Sequence, residues 1–343
     1  MTTIRTLKGL ADKGLVQHTP ALDDVAASYA IAVTPEMSAL MTGAPDDPIG
    51  RQFLPSEAEL NQLAFERPDP IGDAAHSPLE GIVHRYPDRV LLKLLHVCPV
   101  YCRFCFRRES VGPGANAHLS PAKTEAALAY IANNPAIWEV ILTGGDPLML
   151  SPRRLGAILE RLGAIAHVKV IRLHTRVPAV DPGRLTVPMV RALRVKGAAT
   201  YIALHANHPA ELTPAARLAC ASIIDAGVPM LSQSVLLKGV NDNIETLTAL
   251  MRAFVEMRIK PYYLHHPDLA PGTSHFRLSI AQGQALMQAL RGRVSGLCQP
   301  TYMLDIPGGF GKVALTPNSL GIDDGQQVVL APDGQPHIYA PEG

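Results

Sequence analysis

The chain has 343 residues, 47% hydrophobic and 18% charged, with 31 basic against 30 acidic side chains. Such a balanced, core-forming composition excludes a disordered tail protein and an electrostatic nucleic-acid binder, so no nucleic-acid partner is expected. Five cysteines are few for a disulfide scaffold, and three of them, Cys98, Cys102 and Cys105, fall within eight residues. That odd, clustered set points to metal or redox chemistry in a reducing compartment, while Cys220 and Cys298 read as buried, apolar-like thiols. The N-terminal residues lack an apolar export signal, and no run approaches about 18 apolar residues. The expected location is cytoplasmic, without a membrane partner.

In chain order, residues 1–88 read as a helical and irregular extension. From about residue 89 a strand-then-helix alternation repeats six times. The apolar runs are 89–96, 138–143, 168–174, 200–205, 230–237 and 261–265, and helical stretches begin near Pro121, Pro152, Thr186, Thr213, Asn243 and Ser279. Ser120-Pro121 and Ser151-Pro152 each set a capping hydroxyl before a proline suited to the first helical turn. The fold class is therefore α/β, with parallel strands and crossover helices. Six units are too few to close an eight-fold barrel, so residues 89–299 are expected to form a partial (β/α)6, TIM-like barrel. Residues 300–343 read as a short segment of strands and turns covering its open side. Chemistry in such folds sits at the C-terminal strand ends. His96, Thr143-Gly144-Gly145-Asp146, His174, His205, Gln233 and His265 all fall there.

Cys98-Pro-Val-Tyr-Cys102-Arg-Phe-Cys105 is the sharpest signal. Three thiolates on a loop directly after a strand suit three irons of a cubane and leave the fourth iron open for a reacting ligand. Structural zinc takes four ligands in paired sets, and no second cysteine pair exists; a Cys3His site completed by His96 or His118 is the alternative. The run Pro307-Gly-Gly-Phe-Gly-Lys312 lacks the spacing of a nucleotide-phosphate loop, and Val313 stands where that loop needs Ser or Thr. A lysine on a glycine turn beside an apolar stretch suits Schiff-base chemistry instead, because burial makes an amine nucleophilic.

The Cys-x-x-x-Cys-x-aromatic-Cys spacing, with Phe104 before the last cysteine, resembles that of the radical S-adenosylmethionine (SAM) enzymes. Residues from about 80 to 320 are further similar to the lysine 2,3-aminomutase family. The similarity runs through His84-Arg-Tyr-Pro-Asp-Arg-Val, Thr143-Gly-Gly-Asp-Pro, His205-Ala-Asn-His-Pro, Gln233-Ser-Val-Leu-Leu-Lys-Gly-Val-Asn-Asp, Pro261-Tyr-Tyr-Leu and Asp305-Ile-Pro-Gly-Gly-Phe-Gly-Lys312. The resemblance implies a [4Fe–4S] cluster on Cys98, Cys102 and Cys105, with SAM chelating its open iron. It implies SAM contacts from Phe104, Gly144, Gly145, Asp146, His205, Asn207 and Gln233. It makes Lys312 the catalytic lysine that carries pyridoxal 5'-phosphate (PLP), with Arg85 and Tyr86 at the phosphate. Arg107 becomes the arginine for the substrate carboxylate, and Asp268 and Asp305 the pair for a distant ammonium. A guanidinium grips a carboxylate through two bonds, and paired carboxylates select an amine-terminated chain over an acidic one.

The implied activity is isomerisation of free L-α-lysine to β-lysine, driven by an external electron donor. Glutamate or arginine as substrate, or a radical SAM enzyme without PLP, are the alternatives. Asn243 stands where zinc-binding members carry a cysteine, and none of the 31 residues after Lys312 is cysteine. No zinc and a monomer or homodimer are expected. The short length and Cys105-Phe-Arg-Arg resemble aminomutases that supply β-lysine for elongation factor P, whereas Asp305-Ile-Pro-Gly-Gly resembles the longer, free-standing enzymes.

Overall fold

A computed structural model describes residues 2–112, 117–316, 320–323, 326–331 and 335–338. The chain opens with four short helices, α1 (Leu7–Asp12), α2 (Pro20–Ser28), α3 (Pro35–Leu40) and α4 (Pro48–Phe53). Thr6, Thr19, Thr34 and Asp47 cap them through side-chain oxygens, and the last three have proline in the first turn. Their Leu10, Leu22, Met37, Ile49 and Phe53 are buried in the main core, which ties the extension to the rest of the fold.

The sheet begins with β1 (Ile82–Tyr86) and β2 (Arg89–Leu95) and continues through α5 (Pro121–Ala132), β3 (Glu139–Gly144), α6 (Pro152–Gly163) and β4 (Val170–Thr175). After α7 (Val177–Val180) and α8 (Val187–Ala192) come β5 (Ala199–His205), α9 (Pro214–Asp225), β6 (Met230–Val235), α10 (Ile244–Glu256), β7 (Ile259–His265) and α11 (Ile280–Arg291). The sheet ends with β8 (Thr301–Asp305) and β9 (Lys312–Ala314); β10 (Leu320–Asp323), β11 (Gln326–Leu330) and β12 (Pro336–Ile338) form a separate antiparallel sheet.

The nine strands lie side by side in sequence order, β2 to β8 parallel and the two edges antiparallel, and they curl into an open half-barrel. The six strands expected from the alternation are β2 to β7. The helix starts expected near Pro121, Pro152, Thr186, Thr213, Asn243 and Ser279 are the first residues or caps of α5, α6, α8, α9, α10 and α11. The six-fold count missed β8, a seventh parallel strand: the next element is the strand β9, so it carries no strand–helix alternation to read. β1 likewise precedes residue 89 and pairs antiparallel with β2.

Between sheet and helices lies one continuous core. Leu92, Val140, Leu142, Leu173 and Leu204 of the strands meet Ile131, Leu159, Leu162, Ile223, Leu250 and Phe254 of the helices, all buried. Each such side chain contributes roughly 1.5–3 kcal/mol by leaving water. Among the described residues, no helix is long and apolar enough to cross a membrane.

Candidate active site

The concave face of the half-barrel encloses a cavity of about 600 Å³. Every residue expected at the site lines it except Asn207. Asn207 is fully buried behind the wall: its Nδ2 donates to Gln52 Oε1 (3.0 Å), and its Oδ1 accepts from the Val235 N–H (2.9 Å). Both ends of its amide thus join β6 to the N-terminal extension, which leaves neither end facing the cavity where SAM is expected.

The cysteine loop leaves the end of β2, and its three free thiols are partly buried. A carboxylate from the extension fixes this loop. Glu59, fully buried, accepts from Arg103 Nε (2.9 Å) and Nη2 (2.6 Å) and from Arg108, whose guanidinium lies 3.5 Å from the Tyr29 ring centre. The Gly-Gly-Asp run crosses the loop at backbone distance: the Gly145 N–H donates to Leu95 O (2.7 Å), and the Asp146 N–H to Val97 O (3.0 Å). A Cβ on residue 145 would stand 2.4 Å from Val97 O, so only glycine fits. Asp146 itself is spent on structure. Its carboxylate accepts from Thr175 Oγ1 (2.7 Å) and from the N–H groups of Leu148, Arg176 and Val177.

Burial raises all three thiols, Cys105 to about 11, and Cys98 and Cys105 are raised further by neighbouring cysteines. Three buried thiols that resist ionisation fit a bound cationic cluster, which would supply the missing positive charge. Among the described residues, no three Cys, His, Asp or Glu side chains converge on one metal-ion position. A cubane takes each thiolate on a different iron, so it needs no such point.

Arg107, expected to await a substrate, is engaged on the β2 side of the cavity. Its Nε and Nη2 donate to Asp73 Oδ2 (3.1 and 3.0 Å), which Lys93 (3.9 Å) also approaches, while Arg85 lies 3.4 Å from Asp73 Oδ1. Burial opposes ionisation of Asp73, but Arg107, Lys93 and Arg85 outweigh it and hold the carboxyl below its ordinary value. This knot carries three cations against one anion. Asp73 and Lys93 were missed: Asp73 lies in an irregular stretch 25 residues before the first cysteine, and Lys93 looks like any residue of an alternating strand.

On the opposite edge, hairpin register does the placing. Asp305 ends β8, Lys312 begins β9, and the two are direct cross-strand partners around a turn whose Gly308, Gly309 and Gly311 all have positive φ. Lys312 Nζ donates to Asp305 Oδ2, and its backbone N–H donates to Tyr86 Oη (2.9 Å). His265 Nδ1 lies 3.5 Å from the same Asp305 oxygen, and Gln233 Nε2 donates to His265 Nε2 (3.0 Å). Asp305 Oδ1 is buried and has no partner among the described residues. Burial would raise the Asp305 carboxyl, yet His265 and Lys312 hold it well below the usual range. Asp268, just beyond β7, is pushed up to about 7 by burial and by Asp305. His174 lines the cavity with its Nε2 unpartnered, kept neutral by burial and by Arg172.

A parallel half-barrel with a three-cysteine loop at its C-terminal mouth, crossed by a glycine-rich run, defines a radical SAM enzyme. Residues 92–251 match the model of the Radical SAM superfamily, and residues 287–333 that of Lysine-2,3-aminomutase. The L-lysine 2,3-aminomutase of Acetoanaerobium sticklandii is 40% identical over 301 residues, 88% of this chain and 72% of that one. The L-lysine 2,3-aminomutase of Escherichia coli is 37% identical over 80% of this chain and 79% of its own. The glutamate 2,3-aminomutase of Clostridioides difficile is 38% identical over 80% of this chain and 64% of its own. The chain belongs to the lysine 2,3-aminomutase family, a family of radical SAM isomerases, whose chemistry rests on a [4Fe–4S] cluster and SAM.

Proposed function

We propose that the chain is a PLP-dependent aminomutase converting free L-lysine to β-lysine. The observation that carries this reading is the charge pattern of one cavity: Arg107 on the β2 side, Asp268 and Asp305 on the β7–β8 side, and Lys312 beside them. Lysine bears a carboxylate for the first and an ammonium for the second. Glutamate would set its side-chain carboxylate against two carboxylates, one already ionised, which disfavours it.

Cys98, Cys102 and Cys105 would hold the cluster and Lys312 the PLP; when bound, the cluster with SAM would supply hydrogen abstraction, and PLP a conjugated ring able to delocalise an unpaired electron. The protein's residues do the rest. Asp146 and Gly145 hold the strand-end loop against the cysteines, and Arg107, preset by Asp73, orients the substrate carboxylate. Asp305 presents its free Oδ1 to the far ammonium, and the enclosing wall keeps water from the radical. Arg85 and Tyr86 stand where a phosphate would meet Arg85's unpartnered Nε and the Tyr86 hydroxyl. An external one-electron donor and a monomeric or dimeric enzyme complete the proposal.

The test is anaerobic reconstitution with iron, sulfide, SAM and PLP, followed by mass spectrometry of products from a mixture of amino acids. β-Lysine supports the reading, and β-glutamate would transfer it to the other substrate. No isomer, with both cofactors bound, would overturn it. Lys312→Ala should abolish the imine absorbance expected for bound PLP on its lysine; an unchanged spectrum would remove PLP from that residue.

A further inference from the structure

We infer that Arg176 sets the reduction potential of the cluster by donating a charged hydrogen bond to the sulfur of Cys102. Arg176 follows directly on β4, and its Nη1 lies 3.0 Å from Cys102 Sγ. It is 5% exposed. Its other terminal nitrogen, Nη2, donates to Glu211 Oε2 (2.6 Å) and Gln52 Oε1 (2.6 Å), and the guanidinium centre lies 4.6 Å from the Phe53 ring centre. Glu211 is fixed in turn, its Oε1 accepting from the N–H groups of Asn207 and His208 at 2.9 Å each. The planar fork is held on one side, so the sulfur-facing N–H has one available direction.

The three cysteines are not equivalent in this respect. Cys98 and Cys105 take backbone N–H groups, from Asp146 and Arg107, and Cys105 also lies in the field of the Arg107 and Arg108 charges, whereas Cys102 takes a direct hydrogen bond from a charged side chain. Glu211 balances that charge formally, but it approaches the guanidinium through the other terminal nitrogen, so the nearest charge to the sulfur is positive. Reduction moves one electron from an external one-electron reductant into the cluster, whose core passes from 2+ to 1+. No covalent bond changes and no proton moves. A fixed donor and cation beside a ligating sulfur favour the more negative, reduced state and raise the potential. Sequence inspection does not reveal this, because Arg176 lies 74 residues from its sulfur and reads as the end of a strand.

The inference rests on the cluster assignment and is independent of PLP and of the substrate. Wild type, Arg176→Gln and Arg176→Lys are reconstituted and titrated anaerobically without SAM, with the reduced cluster followed by electron paramagnetic resonance. Arg176→Gln should move the midpoint to a more negative potential. At a fixed ambient potential its reduced-to-oxidised ratio should fall about tenfold, which is about 59 mV for a one-electron couple. Arg176→Lys, which keeps the charge without the fork, should shift the same way by less, and it serves as the test if Arg176→Gln fails to load. A loaded variant with the wild-type midpoint overturns the inference. That is also the result expected if Arg176 serves only to grip the carboxylate of SAM. A wild-type chain that takes up no cluster would overturn the cluster assignment itself.

Discussion

Asp268 holds a proton that water would take from an ordinary aspartate. Its carboxyl sits at about 7 because burial and Asp305 outweigh Lys312 and Arg107. A carboxyl raised on folding binds its proton more tightly in the native chain than in the unfolded one. Its contribution therefore favours folding at low pH and is lost as pH rises from about 4 toward 7. An ammonium bound there requires the ionised form, so lysine binding should release a proton. Affinity should strengthen with pH by up to about tenfold per unit below 7 and level off above it. Calorimetry of lysine binding to the PLP-loaded enzyme, in buffers of different ionisation enthalpy, measures that proton. Asp268→Asn should remove both the release and about 2–5 kcal/mol of binding free energy. Residues such as Cys98 and Lys312 could be singled out as candidates in the sequence because the motifs that carry them are written in adjacent letters. Asp73, Lys93 and Arg176 became meaningful only through partners on other strands or in the extension, and no spacing rule encodes such distances.

Among the elements, the N-terminal extension does more than cover the barrel. One of its side chains, Glu59, neutralises two arginines, Arg103 within the cysteine loop and Arg108 just after it, and all three are nearly inaccessible to water. Glu59→Gln would leave two buried guanidinium groups without a countercharge, which should cost about 3–5 kcal/mol. Thermal unfolding of the variant measures that loss. Reconstituted iron content should fall with it, because Arg103 lies between the second and third cysteines; full stability and full iron would show that the loop holds itself. Helix starts were readable in the sequence because Ser120, Ser151, Thr186, Thr213, Asn243 and Ser279 announce them as caps. The β8–β9 hairpin was readable only as short strands and turns, since its glycine turn gives no strand period that would fix the pairing. Yet its register is what sets Lys312 beside Asp305.

For the whole molecule, electrical neutrality overall conceals a site where charges are sorted, cations around Asp73 and carboxylates around Lys312. The parallel strands and crossover helices could be inferred from alternation, but the sorting needed the fold, because the sheet order brings together segments far apart in sequence. One contact in that site has a kinetic consequence. Lys312 is itself an ammonium on a four-carbon stem, and in the structure it sits on Asp305. Before cofactor loading, the protein is thus its own competitor: the tether fills the berth meant for the guest, and drawing it away to hold PLP vacates that berth. Assembly should be ordered, PLP first and amino acid second. Equilibrium dialysis should find lysine bound weakly by the PLP-free chain and more tightly by PLP-free Lys312→Ala; equal affinities would show that the berth is open from the start.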